Sequence, residues 1–347
     1  MVPAELIEID GSNYEGGGGI LRTACALSAV TQKPCRVFNI RQRRPRPGLA
    51  HQHLLGIRAL AELCHGRLEG AELGSKEIKF FPGQTYRDQV SIDIPTAGSI
   101  TLILQTLIPT AWQAPSPIRI KFKGGATDTF FSPTLDFFRY LFLKILEQMG
   151  IKAEIAIQKR GYYPEGGAQL KASFSSCGGK IKTLTKTKRG ELIKILAFSG
   201  ASESLKKKKV AERQLQGARE ILGKLKLPLE ERIEYYPTQS PGSQICLVAE
   251  FENTLLGTDN LGRLGKRAEE VGREAALELL REQKSQACLD KHLADQILPY
   301  LALARGKSQI RVSEITEHCR TNIWVIEKFF DGNFEIKNSL ITWLPTT

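Results

Sequence analysis

Two units of strand, glycine-rich loop and helix constrain the fold of this chain more than any other sequence feature. Each unit has these three parts in the same order, at residues 7–10, 11–19 and 20–31 in the first and at about 118–123, 124–125 and 133–149 in the second. The Glu-Gly-Gly of residues 165–167 also repeats that of residues 15–17. A recurring unit of this kind predicts an internal structural repeat within an α+β fold.

Apolar spacing predicts two further helices in the first half of the chain. Apolar residues recur at helical spacing from Leu49 to Cys64. The segment Ile100–Ile108 is apolar on nearly every side, which is typical of a buried helix, and Ser99 stands where an N-cap is expected.

The composition changes near Lys180. From Lys180 to Lys209 there are ten Lys or Arg residues and two Glu. The following block predicts a helix at about 211–225, a strand at 244–251 and a long helix over Asn260–Gln283. We therefore expect residues 180–283 to form a smaller inserted α/β domain. Residues 1–179 and 284–347 would form the main, repeat-built domain, with 287–344 completing a third repeat.

Charge favours an anionic partner. The chain of 347 residues has 49 Lys and Arg against 37 Asp and Glu, a net charge of +12. That surplus fits a polyanion and a small anionic substrate equally well. Residues Met1–Glu5 lack the basic and apolar regions of a signal peptide. The longest apolar run, Ile100–Trp112, is too short to span a bilayer, so no membrane association is expected.

Cysteine usage indicates the compartment. The seven cysteines are scattered and never form a Cys-x-x-Cys pair; they lie at positions 25, 35, 64, 177, 246, 288 and 319. This pattern favours a reduced, cytoplasmic protein over a disulfide framework or a structural zinc site.

The first glycine-rich loop is a candidate anion site. Its glycines allow close approach to a ligand, and the free N–H groups of the following helix would face an anion. No Gly-Lys-Ser/Thr follows, so it is not a Walker A loop. Glu15 suits bound phosphate only if a cation such as Mg²⁺ or Mn²⁺ bridges them. An ordinary flexible turn is the alternative.

Polar residues elsewhere suggest contacts with phosphate and ligand. Arg41, Arg43, Arg44 and Arg46 precede Gln52 and His53 in the first turn of a predicted helix, where guanidinium groups suit phosphate. A solvated basic face is the alternative. Gln105 is a lone amide in the apolar helix, so it either fixes neighbouring backbone or faces a ligand.

Two histidines are candidates for chemistry. His292 and Asp295 are three residues apart on a predicted helix and share a face. His318 precedes Thr321, the expected N-cap of a helix running to Phe330. The positive end of that helix would keep the imidazole neutral, which is its nucleophilic form. A surface loop histidine is the alternative for His318.

Ordered motifs over nearly the whole chain resemble those of the RNA 3′-terminal phosphate cyclases. They are Asp10-Gly11, Glu15 to Gly18 and Ile20 to Arg22; Ile40-Arg41, Arg44, Pro47 to Leu49 and Gln52 to Leu54; Ala97 to Ser99 and Leu104 to Thr106; Gly161, Tyr163-Pro164 and Gly166-Gly167; Leu293 to Gln296; and His318 with Thr321-Asn322.

The resemblance implies a fold and a reaction. The fold would be three βαβαββ repeats, like the C-terminal domain of translation initiation factor three, with a small α/β insert. His318 would attack the α-phosphate of ATP and carry AMP. AMP would then pass to an RNA 3′-phosphate, and the neighbouring 2′-hydroxyl would expel it and close a 2′,3′-cyclic phosphate. The implied partners are ATP, Mg²⁺ or Mn²⁺ and RNA with a 3′-phosphate, without an obligate protein partner.

The resemblance also implies roles for individual residues. Glu15 corresponds to a metal-proximal carboxylate. Four residues correspond to phosphate-handling positions: Arg22, Arg41, Arg44 and Gln52. The adenylate pocket would be lined by Gln105, Pro133, Phe137, His292, Leu293, Ala294, Asp295 and Gln296.

Two positions depart from the family pattern, and two alternatives follow from related proteins. Gly19 stands where a glutamine is common, and His292 where a tyrosine is expected. One alternative is a non-catalytic ribosome-assembly scaffold of the same family, against which the presence of His318 argues. The other is a carboxyvinyl transferase with a related repeat architecture, which has no use for an adenylated histidine.

Overall fold

The computed structural model describes residues 5–176 and 179–346. Within these ranges the chain has a mixed α+β fold with four four-stranded sheets, each combining parallel and antiparallel pairs. The fold class expected from the sequence is confirmed at this level. Most of Met1–Glu5 and Cys177 lie outside the described residues. No described helix is both long and apolar enough to cross a membrane.

The first sheet follows the first glycine-rich loop. Its elements are β1 (Ile7–Asp10), α1 (Gly18–Thr31), β2 (Cys35–Phe38), α2 (His51–Leu63), β3 (Arg67–Glu69) and β4 (Ile78–Phe81). The strand order is β1-β2-β4-β3, with β1 and β2 parallel and the other pairs antiparallel. The predicted bounds of β1 are confirmed. The helix starts at Gly18, earlier than the predicted Ile20.

The second sheet has the same order and directions. Its elements are β5 (Gln89–Ser99), α3 (Ile100–Ala111), β6 (Ile118–Ala126), α4 (Leu135–Phe137), a π-helical turn (Phe138–Phe142), α5 (Leu143–Gln148), β7 (Ala153–Lys159) and β8 (Gln169–Phe174). The order is β5-β6-β8-β7. Ser99 Oγ accepts a hydrogen bond from the Leu102 N–H at 3.3 Å, so the predicted N-cap of α3 is confirmed. The predicted helix over 133–149 is interrupted by the π turn.

The basic segment leads into a fourth sheet with its own helices. After β9 (Thr185–Lys186) come β10 (Leu192–Ser202), α6 (Val210–Leu222), β11 (Leu229–Tyr236), β12 (Ser243–Phe251), β13 (Leu255–Leu261) and α7 (Ala268–Lys284). The strand order is β11-β10-β12-β13. The predicted helix over Asn260–Gln283 is wrong at its start, because β13 extends to Leu261 in an antiparallel pair with β12.

The C-terminal part of the chain provides three of the four strands of the third sheet, and β9 provides the other. Its remaining elements are α8 (Lys291–Leu303), β14 (Ser308–Arg311), α9 (Glu317–Phe329), β15 (Gly332–Lys337) and β16 (Leu340–Pro345). The order is β15-β16-β14-β9, with β9 and β14 parallel. The short strand β9, which precedes the fourth sheet in sequence, therefore belongs to the same sheet as the C-terminal strands.

Two apolar cores hold these sheets together. The larger core combines side chains from the first three sheets and their helices, and the smaller one fills the space between the fourth sheet, α6 and α7. Helix α3 is buried along nearly its whole length, as predicted. Helix α1 packs against α2, α3 and α9. This packing brings the first glycine-rich loop close to the first turn of α9.

Candidate active site

A cavity of about 550 Å³ opens where the first turns of α1, α2, α8 and α9 meet, a volume suited to a small-molecule ligand. It is lined by every predicted site residue except Leu293 and Ala294, namely Glu15, Arg22, Arg41, Arg44, Gln52, Gln105, Pro133, Phe137, His292, Asp295, Gln296 and His318. Residues far apart in sequence therefore converge on one concave surface.

Leu293 and Ala294 are on the opposite side of α8. Both are fully buried in the larger apolar core and do not line the cavity. The Leu293 N–H donates to Oδ1 of Asp290, the N-cap of α8, at 2.8 Å. These two residues hold α8 in place, while the neighbouring His292 and Asp295 face the ligand space.

The three glycines that open α1 make room for two side chains. A Cβ atom on Gly17 or Gly19 would lie 2.8 or 2.9 Å from Oε1 of Glu15. A Cβ on Gly18 would overlap the ring of His53. Gly17 is the N-cap and provides no side-chain cap, so the first N–H groups of α1 stay available to an anion. The loop is thus a specific packing arrangement for Glu15 and His53.

Glu15 connects the first loop to α9. Its Oε2 lies 2.9 Å from Nδ1 of His318 and 3.1 Å from NH2 of Arg44. The Glu15 side chain is only 7% exposed, whereas that of His318 is 56% exposed. With Nδ1–H donating to the carboxylate, Nε2 of His318 is the ring nitrogen left for chemistry.

The expected setting of His318 is corrected in two respects. The N-cap of α9 is Thr316, whose Oγ1 accepts from the Cys319 N–H at 3.1 Å, so Thr321 lies inside the helix and His318 lies in its first turn. The hydrogen bond to Glu15 raises the pKa of His318 above its usual value, although partial burial acts in the opposite direction. The carboxylate outweighs the helix end that was expected to keep the ring neutral.

Asn322 joins the three helices around this pair. Its Oδ1 accepts from Thr23 Oγ1 of α1 at 2.8 Å, and its Nδ2 donates to the backbone oxygen of Asp295 in α8 at 2.8 Å. Asn322 is one turn beyond His318, so these contacts fix the position of the histidine relative to Glu15. Burial raises the pKa of Asp295 to about 7, with the charges of His318 and Arg22 acting to lower it.

Two of the four arginines at residues 41–46 line the cavity, and the other two do not. Arg41 and Arg44 line the cavity together with Arg22 of α1. Arg41 adopts a left-handed backbone conformation, with φ of 53°, and donates to the Gly48 oxygen at 2.8 Å. Arg43 turns back to the Tyr14 oxygen at 2.5 Å and does not line the cavity. Arg46 is exposed, as the solvated alternative expected.

His53 is a pocket residue beyond the predicted site set. Burial, followed by the charges of Arg22, Arg41 and Arg44, lowers the pKa of His53 to about 3, so its ring is neutral at pH 7. Its Nδ1 has no hydrogen-bond partner among the described residues. Neighbouring Gln52 accepts the Ser99 N–H at 3.2 Å through Oε1. A neutral imidazole can sit among three guanidinium groups without adding to their repulsion.

Another part of the cavity lining combines two glutamine amides with apolar side chains. Gln105 Nε2 donates to Gln296 Oε1 at 2.8 Å, and Gln296 Nε2 donates to the backbone oxygen of His292 at 2.8 Å. Gln105 thus fixes a neighbour and also faces the ligand space. Pro133 and Phe137 form the adjoining wall.

Two acidic residues missed by the sequence reasoning hold that wall. Asp259 Oδ2 accepts from the Thr134 N–H at 2.7 Å, and Asp128 Oδ1 accepts from the Leu135 N–H at 3.1 Å. Asp259 lies on β13 of the fourth sheet and also lines the cavity. The sequence places it 125 residues from its partner and directly before the predicted helix at Asn260–Gln283, so no local pattern indicated its role.

Proteins of one family are similar to this chain over most of its length. The profile of a family described as "RNA 3'-terminal phosphate cyclase" matches residues 13–336. The RNA 3′-terminal phosphate cyclase of Pyrococcus furiosus is 45% identical over 335 residues, covering 96% of each chain. The protein of the same name from Ignicoccus hospitalis is 44% identical, covering 93% of this chain and 92% of its own.

The chain belongs to the RNA 3′-terminal phosphate cyclase family. It is therefore an enzyme of that family, in agreement with the resemblance found in its motifs. Among solved structures, the enolpyruvyl transferase NikO from Streptomyces tendae has a TM-score of 0.23 and 9% identity, covering 98% of this chain and 81% of that one. That similarity is too low to bear on fold or function.

The structure shows what surrounds Gly19, one of the two departures from the cyclase family pattern. Gly19 lies beside Oε1 of Glu15, 2.9 Å from where a Cβ would stand. A glutamine in this position therefore needs the Glu15 carboxylate to shift slightly. Gly19 makes that shift unnecessary, and both Gly19 and Glu15 line the cavity.

The other departure, His292, yields a prediction for ATP binding. His292 is exposed at the cavity rim, and its side chain makes no hydrogen bond to any described residue. Desolvation beside the cavity wall, followed by the charge of Lys291, lowers the pKa of His292 below its usual value. We expect His292→Tyr to keep ATP affinity and His292→Ala to lose about 1–3 kcal/mol, the range for base–aromatic stacking.

Calorimetric titration with ATP from about pH 5.5 to 8 checks this prediction. Because the lowered pKa of His292 favours the neutral ring, the difference between wild type and His292→Ala should change little with pH. Equal affinity of wild type and His292→Ala would show that the ring does not touch the base.

Proposed function

We propose that this cyclase-family enzyme converts an RNA 3′-terminal phosphate into a 2′,3′-cyclic phosphate, using ATP and a covalent AMP on His318. The observation that carries the proposal is the 2.9 Å contact between Glu15 Oε2 and His318 Nδ1 beside an arginine-lined cavity. It orients the ring and leaves Nε2 as the nucleophile. Membership of the cyclase family does not depend on this contact, because it follows from the similarity to known cyclases.

In the first step Nε2 attacks the α-phosphorus of ATP, an N–P bond forms and pyrophosphate leaves. The charge that develops on the phosphate oxygens is stabilised by Arg22, Arg41, Arg44 and the uncapped N-terminus of α1. The apolar wall at Pro133 and Phe137 accepts the adenosine. Glu15 stabilises the positive charge that the ring gains as the bond forms.

In the later steps an RNA 3′-phosphate oxygen attacks the same phosphorus, and the His318–phosphorus bond breaks. The neighbouring 2′-hydroxyl then attacks the activated 3′-phosphorus, AMP departs and the cyclic ester closes. Because both reacting oxygens of the last step belong to one ribose, positioning supplies most of the acceleration. The same arginines hold the anionic groups through each exchange.

We also propose that Mg²⁺ or Mn²⁺ binds beside Glu15. Among the described residues no group of three or more His, Cys, Asp or Glu side chains is arranged to hold a metal ion. Mg²⁺ typically takes one or two carboxylates and completes its shell with nucleotide phosphates and water. Oε1 of Glu15, which accepts neither His318 nor Arg44, fits that requirement. The ion would neutralise charge on the leaving pyrophosphate.

We further infer that the first three sheets are copies of one βαβαββ unit. Their strand orders, β1-β2-β4-β3, β5-β6-β8-β7 and β9-β14-β16-β15, are equivalent and share the same pair directions. The fourth sheet would then be an insert in the third copy. The pairing of Thr185–Lys186 with Gln309–Ile310 favours an insert that starts after Lys186, a few residues beyond the predicted boundary at 180.

For the cellular location we propose the cytoplasm, which the pattern of cysteines favours.

The proposal is tested with purified protein, ATP and Mg²⁺. Without RNA, mass spectrometry should find one AMP per chain, in a linkage that is labile in acid and stable in base, as a P–N bond requires. With an oligoribonucleotide bearing a 3′-phosphate, the product should be the 2′,3′-cyclic phosphate, with AMP released. Protein that makes neither the adduct nor the cyclic ester disproves the proposal.

The Glu15–His318 contact predicts a shift in the pH dependence of adduct formation. Attack needs unprotonated Nε2, so the rate falls as pH drops through the histidine pKa, which Glu15 raises. In Glu15→Gln this cause is lost, so the acidic limb should move to lower pH while the maximal rate falls about 10- to 100-fold. Single-turnover rates from about pH 5.5 to 9 provide the measurement. An unmoved acidic limb would contradict the assigned pairing.

A further inference from the structure

The outer face of the second sheet carries more exposed basic than acidic side chains. On β6 and β8 alternate residues are buried beneath the helices, and the intervening ones are exposed. Four of the exposed residues are basic, and together they are called the basic face: Arg119, Lys121, Lys123 and Lys171. The same face also carries the exposed acidic residues Asp93 and Glu154, so its basic residues are in excess, and a net positive surface attracts partners of the opposite sign.

At the centre of this face two lysines stand directly opposite each other. Lys121 of β6 pairs in register with Lys171 of β8. On the outer sides their cross-strand neighbours are Ser91 and Ala156, neither of which is charged. Neither lysine takes part in a salt bridge with any described residue. Like charges placed directly opposite each other destabilise a sheet, so this pair has a cost in the free protein.

The ends of the basic face are only weakly neutralised. Arg119 lies 3.2 Å from Asp88, and both side chains are mostly exposed, at 63% and 69%. Lys123 is 4.0 Å from Asp93 and 80% exposed. Exposed pairs of this kind contribute little to stability, so the basic side chain can readily exchange its carboxylate partner for another anion.

The other sheets of the same strand order serve as internal comparisons. The equivalent pair in the first sheet, Arg36 and Lys79, is also basic, but Arg36 is 2.8 Å from both Glu8 and Glu77. Glu69 stands opposite Lys79. In the third sheet Gln309 donates to Thr342 at 3.0 Å, and no like-charged pair occurs at that register. Only the second sheet leaves such a pair unbalanced among the described residues.

The basic face begins close to the cavity. Strand β6 continues from Lys123 to Ala126, which pairs with Ser99, and the Ser99 N–H donates to the cavity residue Gln52. At about 3.3 Å per residue, Lys123 lies roughly 10 Å and Arg119 roughly 23 Å along the strand from that point. The basic residues therefore lead away from the cavity in a line.

We propose that the basic face binds the phosphate backbone of the RNA whose 3′-phosphate occupies the cavity, an inference that rests on the proposed function. No exposed position on the four strands of this sheet between residues 89 and 93, 119 and 123, 154 and 158 or 169 and 173 is aromatic. Contact is therefore with phosphates and not through base stacking, and it does not depend on base sequence.

The test uses the full chain with both central lysines changed, Lys121→Gln with Lys171→Gln. Binding of a single-stranded RNA of about 20 nucleotides with a 3′-phosphate is measured without ATP over about 50 to 300 mM KCl. Loss of two phosphate contacts should lower the slope of log K against log salt by about 1.4 and weaken binding about tenfold at 0.1 M. Lys79→Gln and Lys337→Gln, on the first and third sheets, are matched controls that should leave the slope unchanged.

Lys121→Glu separates binding from a purely structural role. A glutamate opposite Lys171 replaces repulsion with attraction, so the thermal midpoint should rise or stay constant while RNA affinity falls. A fall in both quantities, or an unchanged salt slope in the double Gln variant, overturns the proposal. ATP-dependent adduct formation and cyclisation of a 3′-phosphorylated trinucleotide should match wild type in all variants. Wild-type protein that fails these two assays refutes the proposed function, independently of the salt slopes.

Discussion

His318→Asn is expected to abolish the AMP adduct. The asparagine amide can still donate a hydrogen bond to Glu15, so the 2.9 Å contact that orients the native ring has a replacement. The amide nitrogen has no free lone pair to attack phosphorus, however, and the other neutral imidazole beside the arginines, His53, is buried, with only 5% of it exposed. Removal of a catalytic nucleophile costs on the order of 10⁴-fold or more in rate. Mass spectrometry after incubation with ATP and Mg²⁺ should detect no AMP.

His65→Asn is the matched control, because His65 is exposed and hydrogen-bonded to Thr85 outside the cavity. This variant should form the adduct at the wild-type rate. ATP binding should survive in His318→Asn, because the arginines and the apolar wall are intact. Full adduct formation by His318→Asn would place the nucleophile elsewhere and remove the basis of the mechanism.

Local sequence patterns predicted most elements of the first two sheets, and the errors have tertiary causes. Glycines at 17–19 argue against helix on propensity alone. The helix nevertheless begins at Gly18, because only glycine leaves room for Glu15 and His53. Residues 255–261 form an edge strand because β12 offers a partner, and a local helical pattern does not report that partner.

The site shows the same division between local and long-range information. Residue types and motifs made Glu15 and His318 separate candidates for the site, but the contact between them depends on the packing of α1 against α9. The raised pKa of His318 follows from that pairing, which explains why the helix-end argument gave the wrong direction. Asp259 reaches Thr134 from another sheet, a contact that no spacing along the chain indicates.

The second large effect concerns Arg160, which is fully buried between two carboxylates. Its NH1 lies 2.9 Å from Asp128 Oδ2, and its NH2 lies 2.6 Å from Asp136 Oδ1. Asp136 also accepts from Gln244 Nε2 of the fourth sheet at 3.1 Å. Asp128 in turn holds the Leu135 N–H beside the cavity. One guanidinium thus connects the second sheet, the fourth sheet and the part of the cavity wall beside Leu135.

Arg160→Met is expected to destabilise the protein by about 3–5 kcal/mol, since it leaves two buried carboxylates without a counter-charge. That is a large part of a typical folding free energy of about 5–15 kcal/mol. The control is Arg219→Met, which breaks an exposed two-point pair with Glu231 and should cost less than about 1 kcal/mol. Urea denaturation of the variants and wild type provides the measurement.

The pH dependence of that loss distinguishes uncompensated charge from lost packing. Burial already raises the pKa of Asp128 in the native protein, and removal of Arg160 should raise it further. A carboxyl whose pKa is higher in the folded state binds protons on folding, so the folded state gains stability as pH falls. The deficit of Arg160→Met should therefore shrink from pH 8 to about pH 5, and adding Asp128→Asn and Asp136→Asn should recover most of the stability. A deficit that is equal at both pH values and unaffected by the two Asn changes would mean that Arg160 acts mainly through the volume it fills.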